Sequence, residues 1–178
     1  AHQYPTGVTM HPMRRHALTT WARTSDALVV EDDYDGEFRY ERQPIGALQG
    51  TAPDQVVYLG TTSKTLAPGV RLGWIVLPHR WVDPLVKVKV RADLTAPTIT
   101  QLTVAELITS HRYDRHIRTM RLRYRRRRDH LLSVLNSIAP DLVTGIAAGM
   151  QVPVQLPAAG PSEQEIIAAA ADEGLALE

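Results

Sequence analysis

Three short apolar runs, each breaking off abruptly at a turn or at polar residues, constrain this chain more than anything else in it. Ala27-Leu28-Val29-Val30 runs into Glu31-Asp32-Asp33-Tyr34-Asp35-Gly36-Glu37. Val56-Val57-Tyr58-Leu59-Gly60 runs straight into Thr61-Thr62-Ser63-Lys64, and Leu72-Gly73-Trp74-Ile75-Val76-Leu77 follows the turn at Pro68-Gly69. A continuous apolar run without alternation is the pattern of a strand buried on both faces. In a parallel sheet the polar residues at its C-terminal end face a site. Helical patterns surround these runs: residues 10–24 with Thr9 as N-cap, 80–92, 98–110, and one long helix over 112–138 ended by Pro140. Residues 41–55 read as a loop. Strands alternating with helices predict an α/β class, with a mainly parallel sheet and flanking helices.

A strand over 150–156 and a helix from Ser162 to Ala171, stopped by Gly174, predict a new layer after the long helix. The chain therefore divides into a larger unit, 1–139, that includes the long helix, and the start of a smaller one, 140–178. It opens at Ala1 in a loop already under way, and Gly174–Glu178 reads as the entry to a strand. Both ends are expected to continue into a larger protein.

Composition removes several function classes. There is no cysteine among 178 residues, so disulfides, thiol catalysis and Cys-ligated zinc are excluded. That composition fits a cytoplasmic protein. No apolar run approaches the roughly 20 residues of a membrane span. A net charge of +1 argues against a chain that binds nucleic acid over its whole surface. The seven histidines show no metal-like spacing, and no metal is assigned. The basic residues comprise 17 Arg and only three Lys: Lys64, Lys87 and Lys89. A lysine kept in so arginine-rich a background directs attention to what an ammonium can do and a guanidinium cannot, which is to lose its proton and form an imine.

Lys64 has the surroundings for that chemistry. Thr61, Thr62, Ser63 and Thr65 flank it just after a buried strand, and Arg71 returns seven residues later. Hydroxyls with a guanidinium fork suit a phosphate dianion, and a lysine beside them suits an imine to an aldehyde cofactor carrying that phosphate. A polar loop with a solvated lysine is the alternative. At the end of the preceding strand, Asp32 could pair with a protonated ring nitrogen and raise its pKa. Tyr34 could share a proton with a phenolic oxygen of the same ring. The alternative there is a solvated acidic loop, since five acids fall within 31–37. His2-Gln3-Tyr4-Pro5-Thr6-Gly7, read alone, is a turn.

Taken together, Tyr4-Pro5-Thr6-Gly7, the Asp32/Tyr34 pair and Thr61-Thr62-Ser63-Lys64 with Arg71 resemble, in order and spacing, the fold-type I pyridoxal-phosphate enzymes of the aminotransferase class I/II family. The wording of HQYPTGVTM, VVEDDYDGEFRY, YLGTTSKTLAPGVRLGW and HIRTMRLRYRRRRDHLL is similar to the aminotransferase-like domain of MocR-type regulators. Those are GntR-family transcription factors with a winged-helix DNA-binding head. The resemblance covers essentially the whole chain and about half of the family's domain: the second half of the large domain and the start of the small one. It implies pyridoxal 5′-phosphate as cofactor and Lys64 as the residue forming the Schiff base. It places Asp32 at the pyridine nitrogen, Tyr34 at the ring O3′, and Thr61, Ser63 and Arg71 at the phosphate, with Tyr4 near the ring. Tyr4 stands where aminotransferases usually carry Asn, as in the regulator branch. That implies a ligand-responsive module without efficient transamination, sensing a small-molecule amine or amino acid, dimeric in the full-length protein, and reaching DNA only through a winged helix outside this sequence.

Two further readings stay open. One is a fragment of a true class I/II aminotransferase, with Lys64 shuttling the α-proton. The other is a nucleic-acid-binding module on the long helix, where six arginines fall within residues 121–128. Against the latter, the same run fits a solvated helix face whose arginine stems cover apolar surface.

Overall fold

The computed structural model describes residues 3–40, 45–140, 142–143 and 149–177. His2, residues 41–44 of the expected loop, residues 141 and 144–148 at the start of the expected small unit, and Glu178 lie outside the described residues.

Strands β1 (Val29–Asp33), β2 (Val56–Thr61) and β3 (Gly73–Val76) form one sheet in that order. Strands β1 and β2 are parallel, Val29 opposite Val56 through Asp33 opposite Gly60. Strand β3 runs antiparallel to β2, Tyr58 opposite Val76 through Thr61 opposite Gly73. The direction of β3 has a simple cause. A parallel crossover normally carries an α-helix back along the sheet, whereas this link holds only the Pro68–Val70 turn and is pinned back by the Thr62–Leu72 bonds. Strand β1 begins and ends later than the apolar run 27–30. Its ladder with β2 carries the backbone through Glu31, Asp32 and Asp33, because pairing to a neighbouring strand overrides the low strand preference of acids.

The helices are α1 (Pro12–Thr24), α2 (His79–Asp93), α3 (Thr98–Thr109), α4 (Arg112–Ile138) and α5 (Glu163–Asp172). Helix α1 is capped by His11, not Thr9. Pro12 at the first helical position sets the start, and His11 Nδ1 accepts the Met13 N–H at 3.2 Å. At its far end Asp26 is left-handed (φ 46) and the Ala27 N–H bonds the Ala22 carbonyl at 2.9 Å, closing the helix. Helix α5 starts as expected, with Ser162 and Glu165 in a reciprocal capping box. It ends at left-handed Gly174 (φ 78), with the Leu175 N–H on the Ala170 carbonyl. Residues 150–156 do not form a strand. Val154 makes an isolated bridge to Val143, and Pro153 and Pro157 on either side lack the N–H groups that would extend it.

The core beneath β1 and β2 is Leu48, Ala52 and Val56, with Leu18 of α1 and Val29 packed against it. Glu31 ties the loop to the sheet, its two oxygens accepting the N–H groups of Leu48 (2.9 Å) and Gln49 (3.2 Å). Phe38, fully buried, meets Tyr124 of α4 edge to face at 5.0 Å. The arginines of α4 are partly engaged on the chain itself. Arg121 donates to the Arg39 carbonyl at 2.6 Å, and Arg128 lies over the Tyr40 ring at 4.7 Å. Among the described residues no helix is long and apolar enough to cross a membrane.

Candidate functional site

The topology brings the separated motifs to one end of the sheet. Strands β1 and β2 are parallel, so their C-terminal ends, Asp32–Tyr34 and Thr61–Lys64, lie side by side. The reversal at Pro68–Val70 returns the chain so that Arg71 precedes β3 at that same end.

Side-chain alternation in β1 sorts its acids. Residues 29, 31 and 33 are half-buried, whereas Val30 and Asp32 are exposed. Glu31 is used by the loop, and Asp33 accepts from Tyr58 Oη at 3.0 Å. Burial first, then Asp33, pushes the Tyr58 hydroxyl well above the usual phenol range. Among the described residues the Asp32 carboxylate has no hydrogen bond or ion pair.

Tyr34 follows directly. Its hydroxyl oxygen is buried and meets no hydrogen-bond partner at bonding geometry among the described residues. Burial pushes its pKa up, Asp35, Tyr4 and Asp32 add to that, and the nearby Gln151 side chain offsets part of it. Tyr4, though 64% exposed, presents its ring to Tyr34 edge to face at 6.5 Å. The loop carrying Tyr4 is closed by the Gln3 N–H on the Val8 carbonyl (2.8 Å), with Gly7 left-handed at φ 71.

The Lys64 turn is built from hydroxyls. Thr61 Oγ1 donates to Ser63 Oγ (3.0 Å) and accepts the Ser63 N–H (3.1 Å). Thr62, fully buried, sends both its N–H and its hydroxyl to the Leu72 carbonyl at 2.9 Å. Those two bonds hold the residue after Arg71 against the residues before Lys64. Thr65 is also buried, so the lysine stands between two anchored threonines with its own side chain exposed. Arg71 is a non-glycine residue in the left-handed region (φ 50, ψ 38). That conformation costs about 1–2 kcal/mol; here it ends the Pro68–Val70 turn, as left-handed Leu94 and His111 flank helices elsewhere in the chain. Among the described residues neither Lys64 nor Arg71 has a hydrogen bond or ion pair.

The structure thus joins Tyr4 to Tyr34 and Thr61 to Ser63, and ties the Arg71 segment to Thr62. No hydrogen bond joins Lys64 to Asp32 or Tyr34 among the described residues. Sequence reasoning passed over Thr62 and Thr65 as anchors, and over Tyr113 and His116 of α4, which reach Thr65. The i, i+3 spacing of Tyr113 and His116 was the available signal.

The chain belongs to the aminotransferase class I and II family, whose model matches residues 3–177. An uncharacterized HTH-type transcriptional regulator, YhdI, from Bacillus subtilis is 38% identical over 99% of the chain and 38% of its own length. The probable rhizopine catabolism regulatory protein MocR from Rhizobium meliloti is 33% identical over 84% of the chain and 31% of its own. A crystal structure of the Pyrococcus horikoshii kynurenine aminotransferase, in complex with PMP, superposes with TM-score 0.86 at 34% identity, covering 98% of this chain and 44% of that one. Regulators and enzymes therefore stand at similar distance, and the chain spans less than half the length of each. The α/β aminotransferase fold expected from the sequence is the one found.

Proposed function

We propose that this chain is the cofactor-binding part of a MocR-type transcriptional regulator, with Lys64 as the residue that carries pyridoxal 5′-phosphate covalently. Membership in the family brings that cofactor. The residues present fit it, and the reading is carried by the buried Tyr34 hydroxyl, which has Gln151 nearby but no partner at hydrogen-bonding geometry among the described residues. A buried polar atom left unbonded is costly, and a phenolic ring oxygen is a suitable partner. When bound, the cofactor supplies an aldehyde carbon and a ring nitrogen able to act as an electron sink.

Each residue then has a task. Lys64 offers its amine from a turn fixed on both sides. Asp32 keeps a ring nitrogen protonated by opposite charge. Thr61, Ser63 and Arg71 bind the phosphate dianion, and Tyr4 closes over the ring beside Tyr34. The division into 1–139 and 140–178 belongs to this reading, as do a cytoplasmic location, a homodimer in the full-length protein, an amine or amino-acid ligand, and contact with DNA through a winged helix outside this sequence. The extensive likeness to regulators such as YhdI supports it.

The test is a titration of the purified protein with pyridoxal phosphate, read by visible absorbance beside Lys64→Ala. We expect a new band that Lys64→Ala loses, and a mass gain of one cofactor after borohydride reduction. No band in a folded wild-type protein would overturn the assignment. The second reading, a true aminotransferase, is favoured by the 34% identity to the kynurenine enzyme. Conversion of an amino acid to its keto acid by the complete protein would establish it instead.

A further inference from the structure

We propose that Tyr113 and His116 are positioning residues for Lys64, acting through Thr65. This rests on the reading of Lys64 as the cofactor-carrying lysine. The Lys64 amine meets no partner among the described residues, so its placement depends on the backbone of its turn. On one side that turn is held by Thr62 and Leu72. On the other side it is held by Thr65, which is only 1% exposed.

Two of Thr65's polar groups end on α4. Its Oγ1 accepts the Tyr113 hydroxyl at 3.0 Å and donates to the Thr62 carbonyl at 3.4 Å, which uses it in both senses. Its carbonyl lies 2.9 Å from His116 Nε2. A carbonyl can only accept, so Nε2 must carry the hydrogen. Tyr113 and His116 are one turn apart on the same helix face, and both reach across about fifty positions of sequence to a single residue. Burial pushes the Tyr113 hydroxyl above the usual phenol range, which keeps it a donor.

The same helix also holds the other half of the site. Arg121 bonds the Arg39 carbonyl and Tyr124 packs on Phe38, just beyond Asp32 and Tyr34. The β1–β2 ladder sets the two strand ends side by side, and α4 braces the loops that follow each of them. A reaction that joins two groups held in register gains strongly from such orientation, and each lost hydrogen bond weakens it about two- to tenfold.

The experiment uses the full chain with pyridoxal phosphate as probe, comparing wild type with Tyr113→Phe, His116→Leu, His116→Gln and Thr65→Val. Affinity is read from the visible band. Backbone hydrogen exchange of residues 62–66 is read without cofactor. We expect Tyr113→Phe and His116→Leu each to weaken cofactor capture about two- to tenfold and to speed exchange of 62–66 more than the modest fall in urea midpoint from one lost hydrogen bond accounts for. His116→Gln, which keeps an N–H donor, should recover most of the loss. Tyr113→Phe added to Thr65→Val should do no further harm. Wild-type affinity and exchange in Tyr113→Phe and His116→Leu, or equal losses in His116→Gln and His116→Leu, would overturn the proposal. A wild-type protein that shows no band dependent on Lys64 overturns the parent reading instead.

Discussion

Glu31 and Asp32 are adjacent, carry the same charge, and do different work. Glu31 accepts two backbone N–H groups of the loop, one from buried Leu48. Removing it strands both donors, and charge-assisted bonds of this kind are worth about 1.5–3 kcal/mol. We therefore expect Glu31→Ala to lower unfolding stability by about 3 kcal/mol and Glu31→Gln by roughly half as much, measured by urea denaturation. Asp32, one position on, lies on the opposite, exposed face of the strand. Residue types alone left the five acids of 31–37 open to a solvated loop, and only the family resemblance singled out Asp32; that Glu31 and Asp33 are engaged within the chain was not legible. That depends on strand phase and on a loop whose position no local pattern encodes. Tyr40 gives a pH test. Burial pushes its hydroxyl up to about 12 from an ordinary 10.0, although the Arg128 guanidinium over the ring pulls the other way. The folded state thus holds a proton that the unfolded chain releases. The stability this represents is complete below pH 10.0 and is lost as pH rises towards about 12. Tyr40→Phe should flatten that part of a plot of urea midpoint against pH, and remove one late phenolate absorbance step while leaving the still later one of Tyr58.

The packing of β1 and its following loop against α4 turns on one ring. Phe38 is the sole phenylalanine of the sequence, fully buried, and edge-on to Tyr124 at an interplanar angle of 85°. Phe38→Ala should cost about 3–5 kcal/mol through the cavity it leaves. A double-mutant cycle of Phe38→Leu with Tyr124→Leu should return about 1 kcal/mol of coupling, the typical worth of an aromatic pair. A coupling near zero would mean that Phe38 matters only by volume. The elements themselves were largely legible. The helix read over 112–138 is found as Arg112–Ile138, because a long amphipathic period between clear stops leaves little freedom. Short elements were harder. Six apolar residues at 72–77 say nothing of strand direction, which followed from the length of the link. Residues 150–156 carry strand-forming valines, yet the flanking prolines and the scarcity of partners leave a single bridge. The Lys64 turn stood out only through the family resemblance, since its residue types alone also fit a solvated polar loop, and its grip by α4 arises from contacts between segments far apart in sequence.

A compact monomer of 19.8 kDa exposes about 8,600 Å², whereas this chain exposes 12695 Å². Part of the excess lies on one face, although α4 and α5 also carry no buried described residue. No described residue of α2 is buried, and every residue of β3 is exposed. Between them lies an open apolar groove of about 550 Å³ lined by Trp74, Ile75, Val82, Leu85 and Val86. Hydrophobic stabilisation scales with apolar area taken out of water, so a face left in water contributes little to the folding of this chain. Val86 and Val90, at 54% and 53% exposure, should therefore tolerate Lys with changes within about 0.5 kcal/mol each. Val56→Ala, at a position with 0% exposure, should cost about 2 kcal/mol. The same two lysines should reduce binding of a hydrophobic dye and self-association in sedimentation, because they break a contiguous apolar surface. If Val86→Lys instead destabilised the chain as much as Val56→Ala, that face would have to be packed in solution. Either a second copy or a rearrangement within the chain would then cover it, and a concentration-dependent unfolding midpoint would identify self-association.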